Sequence, residues 1–389
     1  MIPALLRPDV VHVMVEAAPL RHAGGEQHPL QLVMEHWGRG EPTLGGDYYS
    51  FSPLVAYHSE AITGERLPYS ESWLEDWICD RFLPSRIDSC ISLCCGFGAL
   101  ERMLHARGLF KECIAYDVSP GALATARRLA EEQGLTGLRY EQADINHLQL
   151  PAESCDLVWA NGALHHITRL EHVLEQVHAA LRPGGILVAC EYVGPNHQNL
   201  PIRQRELVNA VSYLLPPELR DRQPGSFFPP AFRHALPLKL AYSSWQQFGK
   251  GRRNDAPSAR LGWRGRVERG FHAAGRFVGR LCPADPFVFS KLWDYDPRHF
   301  RRIDPSECVR SSNVIPVIRN VFADVDVRPF HGSLLQHALD GAFYRNFDSG
   351  NRHHWALLDQ LVGIERNAIE RGEIGSDNAV IIARKAVMP

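Results

Sequence analysis

Residues 90–98 read Cys-Ile-Ser-Leu-Cys-Cys-Gly-Phe-Gly, and this stretch decides the fold. Cys90–Cys94 makes a short buried strand, after which Gly96 and Gly98 let the backbone turn and pass close to a ligand. A helix is expected from Ala99 to Ala106, and its N-terminus offers unpaired N–H groups at the mouth of the loop. Working outward, the same unit recurs. Glu112–Asp117 reads as a second strand, and Ser119-Pro120 caps a helix running to about Gln133. Leu138–Gln142 is a third strand, and Cys155–Ala160 a fourth with a helix from about Leu170 to Leu181 after it. Arg182-Pro183-Gly184-Gly185 reads as a turn, and Ile186–Tyr192 as a nearly all-apolar fifth strand. Apolar strands alternating with helices imply a parallel sheet covered on both faces.

Outside this block the pattern changes. Residues 1–84 are broken by Gly24-Gly25, Pro42, Gly45-Gly46 and Pro53, with one plausible helix from Glu71 to Pro84. Residues 194–303 are rich in Pro, Gly, Arg and aromatics and show no strand. A helix is expected over 305–321, strands near Val325–Arg328 and Ala379–Arg384, and a helix from about Trp355 to Arg371. The expected division is an N-terminal lid segment (1–84), a core (85–193), a basic, mostly helical cap insertion (194–303) and a C-terminal completion of the sheet (304–389) that carries a substrate-side insertion at 331–378.

With 389 residues the chain can bury a large core. It has no apolar run long enough to span a membrane, and its first residues lack the basic start and clean apolar stretch of a signal peptide. Nine cysteines without a CxxC fit reduced thiols in a cytoplasm better than disulfides or a zinc framework. Charge is unevenly spread: residues 200–303 hold 19 Lys/Arg against 8 Asp/Glu, while the whole chain has a net charge of −2. Within that segment Trp263, Val267, Phe271, Ala274, Val278 and Leu281 recur at helical spacing among arginines, a basic amphipathic helix. It reads first as a lid, with docking of an acidic carrier protein, holding of an anionic substrate or contact with a membrane surface as other uses. A nucleic-acid partner is not expected, since the protein is not basic as a whole.

The chemistry-bearing residues follow the strands in order. The Gly-rich loop is followed about 20 residues on by Asp117, which can accept both hydroxyls of a ribose. Asp144 and Ile145 follow strand three, where a carboxylate can take an adenine amino group while an apolar side chain packs on the ring. Asn161-Gly162-Ala163-Leu164-His165-His166 follows strand four, and Leu181-Arg182-Pro183-Gly184-Gly185 precedes strand five. This series resembles the class I S-adenosyl-L-methionine (SAM)-dependent methyltransferases, in the small-molecule branch that includes the quinone methyltransferases. The resemblance covers 85–193 well and 305–386 loosely. It implies a Rossmann-like α/β fold, a mostly parallel sheet of seven strands, and SAM as cofactor with S-adenosyl-L-homocysteine as product.

By the same resemblance Cys94, Gly96 and Gly98 line the methionine half of SAM, Asp117 and Val118 the ribose, Asp144 and Ile145 the adenine, and Asn161 the sulfonium. Two positions depart from the family pattern. Ser92 stands where an acidic residue usually helps hold the SAM ammonium, and Cys94 stands where a glycine is usual. For catalysis the nearest groups are His165 and His166, then Glu191 and Tyr192. Neighbours on a turn are expected to point apart, so one imidazole should face the acceptor, and no metal is expected because no third ligand is spaced to help. Tyr48, Tyr49, Tyr57, His58, Asn196 and His331 are the candidate acceptor contacts. Besides methyl transfer, the readings weighed are other SAM chemistry (aminocarboxypropyl transfer or cyclisation of SAM itself) and a non-catalytic SAM-binding scaffold. A dinucleotide is disfavoured, because Gly96-x-Gly98 lacks the third glycine of its fingerprint.

Overall fold

The computed structural model describes residues 29–38, 48–84, 87–219, 304–339 and 341–387. The basic amphipathic helix expected at 263–281 lies outside them, as does most of the expected cap insertion. Helices α1 (Pro29–Trp37), α2 (Val55–Thr63) and α3 (Trp73–Phe82) precede the sheet. Then come β1 (Ile87–Leu93), α4 (Ala99–Ala106), β2 (Phe110–Asp117), α5 (Pro120–Glu132), β3 (Leu138–Gln142), β4 (Cys155–Asn161), α6 (Leu170–Ala180) and β5 (Leu181–Tyr192). Helix α7 (Ile202–Leu214) follows. The chain returns with α8 (Val314–Val321), β6 (Asp324–Pro329), α9 (Leu335–Ala338), α10 (Gly341–Asn346), α11 (Arg352–Glu370) and β7 (Asn378–Arg384).

The seven strands form one sheet in the order β3-β2-β1-β4-β5-β7-β6. Strands β1 to β5 pair in parallel, and β7 runs antiparallel to both β5 and β6. This is the mostly parallel, seven-stranded Rossmann-like architecture expected. One face packs Val158, Ala160, Leu187 and Ala189 under α6 and α8. The other packs Cys113, Leu157, Trp159 and Val188 under side chains of α3, α4 and α5. Each fully buried Leu, Ile or Val contributes about 1.5–3 kcal/mol, so two covered faces account for strands that are apolar throughout. A third cluster joins Tyr48, Phe51, Leu54 and Tyr57 to α7, α9, α10 and α11. Its chain enters after Tyr192 and Pro329 and leaves before Asn378, all at the edge where the parallel strands end, because Tyr192 pairs with Asn378 and Pro329 with Ala379.

Two local expectations are corrected. The helix expected over 305–321 begins at Val314. Before it, Asp304 Oδ1 accepts from Ser306 N at 2.9 Å and Cys308 sits at φ 49°, so the chain turns instead of starting a helix at Pro305. The Arg182–Gly185 turn is absorbed into β5: Leu181 already pairs with Cys155, and the register shifts before Leu157 pairs with Ile186.

Candidate active site

Parallel strands end along one edge, and the loops leaving β1, β2, β4 and β5 there carry the site. After β1, Cys94 lies at φ 53°, a left-handed conformation that costs a residue with a Cβ about 1–2 kcal/mol. Gly96 and Gly98 follow at φ 52° and 70°. A Cβ at Gly98 would come within 2.6 Å of the Tyr140 ring, whereas one at Gly96 would meet nothing within 4 Å. The loop is therefore packed on one side and open on the other. Asp117 ties it to β2: Oδ2 accepts from Gly96 N at 2.9 Å and Oδ1 from Ser119 N at 2.8 Å. Burial raises the Asp117 pKa, against those two hydrogen bonds and one from Val118 N–H.

Sequence reasoning missed Glu101, in the first turn of α4. It is buried, and one of its carboxyl oxygens accepts from the Ser92 hydroxyl. Its other oxygen, Oε2, is buried with no hydrogen-bond partner among the described residues, and burial raises the pKa of the Glu101 carboxyl group. A carboxyl group thus stands beside Ser92 although the strand position itself carries none. The only signal was an acidic residue three positions after Gly98.

After β3, Asp144 Oδ1 accepts from Asn146 N and Nδ2, both at 3.0 Å, and Ile145 is buried. Val118 is half-buried, its carbonyl accepting from Gln142 Nε2 at 3.1 Å. Asn161 ends β4 with its side chain exposed. Beyond it, Glu191 at the end of β5 organises the turn that carries the histidines. Its Oε1 accepts from Ala163 N and Leu164 N, both at 2.8 Å, and its Oε2 accepts from His165 Nδ1 at 2.8 Å and His165 N at 3.4 Å. A carboxylate only accepts, so in the neutral His165 ring the proton sits on Nδ1 and the lone pair on Nε2. Burial is the largest influence on His165 and lowers its pKa; the hydrogen bond and charge of Glu191, with Glu307 and Asp304, outweigh it, and the net shift is upward.

The two histidines do not point apart. Their ring centroids are 4.2 Å apart at 36°, because residues 164–166 form a tight 3-10 turn held by Glu191. Neither caps α6; Arg169 occupies that position, with no side-chain cap. His166 Nδ1 is 3.1 Å from Ser306 Oγ, and that hydroxyl donates to Asp304 Oδ1 at 2.5 Å. His166 Nε2 lies 3.7 Å from Glu307 Oε2. Burial and the neighbouring His165 lower the His166 pKa. Asp304 also accepts from Trp37 Nε1 at 2.8 Å, and the Trp37 ring stands edge-on to His166 at 5.5 Å, so α1 closes over this corner. Asp304 and Glu307 lie about 140 residues from His166 in the chain, with no spacing to reveal them. Burial raises the Tyr192 pKa; among the described residues its hydroxyl has no hydrogen-bond partner, and its ring is 6.4 Å from His165.

The candidate acceptor contacts divide. Tyr48, Tyr57 and His58 are buried among the helices beyond the sheet edge. Tyr57 stacks on His331 with centroids 3.7 Å apart and donates to Glu365 Oε2 at 3.1 Å. Burial lowers the pKa of His58 to about 4 and that of His331 to about 3. Asn196 uses its side-chain oxygen to accept from Ser312 N at 3.0 Å and Ser312 Oγ at 2.9 Å. Tyr49 stays 41% exposed while its hydroxyl donates to Asn378 Oδ1 at 2.7 Å.

Residues 91–189 match the family model described as a methyltransferase domain. The chain is 35% identical to the demethylmenaquinone methyltransferase of Thermus thermophilus, over 29% of its own length and 49% of that protein's. It is 36% identical to the trans-aconitate 2-methyltransferase of Methylobacterium nodulans, over 27% and 37%. To the malonyl-acyl-carrier protein O-methyltransferase of Enterobacter lignolyticus it is 36% identical, over 24% and 34%. The chain thus spans about a third to a half of the length of these curated relatives. The residues matched by the family model include the Gly-rich loop, the acidic end of β2 and the turn after β4. Residues 91–189 are thus similar to the methyltransferase domains of SAM-dependent enzymes of class I.

Proposed function

We propose that the protein methylates a small-molecule acceptor, of metabolite or natural-product type, with SAM as donor. The observation that carries this reading is the shared edge: the Gly96–Gly98 loop, Asp117, Asp144, Asn161 and the His165–Glu191 pair all follow strands that end on the same side. The open side of the loop at Gly96 and the unpartnered Glu101 Oε2 suit a ligand with a flexible, cationic end. In this reading Cys94, Gly96 and Gly98 face the methionine part and Asp117 with Val118 the ribose. Asp144 and Ile145 take the adenine, and Asn161 the region of the sulfur. Glu101 takes the part that Ser92 gives up.

SAM supplies a methyl group already activated on a sulfonium. The protein must then hold the acceptor in line and keep water out, which accounts for most of the rate needed. His165, oriented by Glu191, accepts the acceptor's hydrogen bond or its proton at Nε2. Tyr192 and His166 border the same space. In this reading the described parts of the N-terminal segment (29–38 and 48–84), residues 194–219 and the described parts of the 331–378 insertion lie on the acceptor side and select the acceptor, with Tyr49 the most accessible of the candidate contacts. A carrier-bound or anionic acceptor agrees with the basic charge of 200–303 and with the acyl-carrier-protein relative. The cytoplasm is the compartment that the cysteine pattern of the sequence suggests.

Calorimetry on Asp117→Ala tests the cofactor half of this reading. Asp117 makes charge-assisted hydrogen bonds to the loop, and in this reading also to the ribose. Its loss is expected to weaken SAM and S-adenosylhomocysteine alike by about ten- to a hundredfold. Unchanged affinity for both would remove Asp117 from the cofactor site.

A further inference from the structure

The turn after β4 and the segment 304–308 bring together side chains beyond those placed at SAM, and an ion held there would take the Nε2 lone pair of His165 in place of the acceptor's proton. The side-chain donors of His165, His166 and Glu307 all lie within 4.8 Å of one another. Each is oriented from behind. His165 Nδ1–H is held by Glu191, and His166 Nδ1–H by Ser306, whose own hydroxyl is spent on Asp304. Both imidazoles are thus fixed with their Nε2 lone pairs uncommitted by these contacts. Glu307 Oε1 accepts from Cys308 Sγ at 3.0 Å and Gln198 Nε2 at 3.4 Å, which leaves Oε2 3.7 Å from His166 Nε2. Two ligands on a tetrahedral ion with bonds of about 2.0–2.1 Å sit about 3.3 Å apart, so this pair needs only a small closure, while the pairs with His165, within 4.8 Å, must also draw in.

Charge points the same way. The carboxylates of Glu191, Asp304 and Glu307 have side chains 0%, 4% and 22% exposed, and among the described residues no Lys or Arg pairs with any of them. Buried negative charge is strongly unfavourable unless compensated, and among the described residues only the two imidazoles stand beside these carboxylates to compensate it. A ring nitrogen whose partner nitrogen is tied to a carboxylate is the arrangement that orients metal-binding histidines.

We propose that His165, His166 and Glu307 form a divalent transition-metal site at the acceptor edge of the sheet, suited to Zn²⁺ and ions of similar ligand preference, with its remaining positions open. Two imidazoles and one carboxylate on one side of an ion are the donor set that leaves such positions free. An acceptor's oxygen, nitrogen or sulfur could occupy one of them. The site stands on these side chains alone and goes beyond the methyl-transfer reading.

The test uses the full chain without an affinity tag, stripped with a chelator and titrated with Co²⁺, whose visible absorption reports its ligands, and with Zn²⁺ by calorimetry. Saturation at one ion per chain is expected. Glu307→Gln, which keeps the shape and removes the charge, and His166→Ala should each weaken binding at least tenfold. His353→Ala, at the exposed start of α11, should leave it unchanged. SAM affinity is measured on the same variants with folding checked by circular dichroism. Absence of saturable binding, or equal affinity in folded Glu307→Gln, overturns the metal site; SAM binding that persists in that case leaves the methyltransferase reading standing.

Discussion

Replacing His165 by alanine is expected to lower turnover by about 10²–10⁴ while leaving SAM affinity nearly unchanged. The imidazole lies beyond the cofactor loop and is buried to 8% exposure, with Nδ1 committed to Glu191 and Nε2 carrying the lone pair. Only the neutral ring has that lone pair, so turnover should rise with pH through the His165 pKa, which the Glu191 contact lifts above the ordinary imidazole value despite burial. In Glu191→Gln the lifting charge is gone, and the rising limb should move to lower pH even as the plateau falls. The stability linkage has the opposite sense. A raised folded-state pKa stabilises the protein below the unfolded imidazole pKa, and that contribution is lost as pH rises through the folded value. Steady-state pH profiles of the two variants, with SAM affinity measured alongside, check both parts. A His165→Ala enzyme that loses SAM affinity in proportion to turnover would show a cofactor role instead.

Removing Glu191 should be the most damaging single change to the fold of the site. Its carboxylate accepts from three backbone N–H groups and one ring N–H at the junction of β4, β5 and the histidine turn. Glu191→Ala leaves those buried donors unsatisfied and takes the charge from beside His165. A loss of about 3–5 kcal/mol is expected, read as a lower midpoint of chemical denaturation. Glu191→Gln keeps the volume and can still accept two of the bonds, so it should lose less stability yet fall far in turnover. Equal stability of Glu191→Ala and the unsubstituted protein would mean that the 163–165 turn is held by its own backbone.

The strands of the core were legible because both faces of the sheet are covered, which turns each into a short apolar run between glycine or proline signals. What the pattern could not show were strand starts supported by polar contacts. Strand β1 begins at Ile87, earlier than its apolar run, since Asp156 Oδ2 accepts from Asp88 N at 3.2 Å and Ser89 N at 3.0 Å. The residues proposed for the cofactor could be named for the same reason as the strands: they follow strand ends at regular places. Those of the acceptor side were only half so. His165, His166, Glu191 and Tyr192 could be named, but adjacent side chains were expected to diverge, and a carboxylate folded under the turn reversed that. Asp304 and Glu307 come from a distant segment read as helix, where the Asp304–Ser306 turn and the left-handed Cys308 stop a helix from forming. Tyr57 and His331, named as candidate acceptor contacts, are stacked on each other, and no spacing in the sequence announces that pairing, because aromatic rings serve a cap's core as readily as a binding site.

Identifying the nucleoside left when the protein is incubated with SAM and a metabolite extract decides whether this chain uses SAM to methylate a small molecule. Mass spectrometry should find S-adenosylhomocysteine formed in step with a product heavier than its acceptor by one methylene unit. His165→Ala, kept saturated with SAM, should form both far more slowly. Methylthioadenosine in place of S-adenosylhomocysteine would contradict methyl transfer and point to attack on the amino-acid chain of SAM, and SAM recovered intact, although bound, would contradict catalysis altogether.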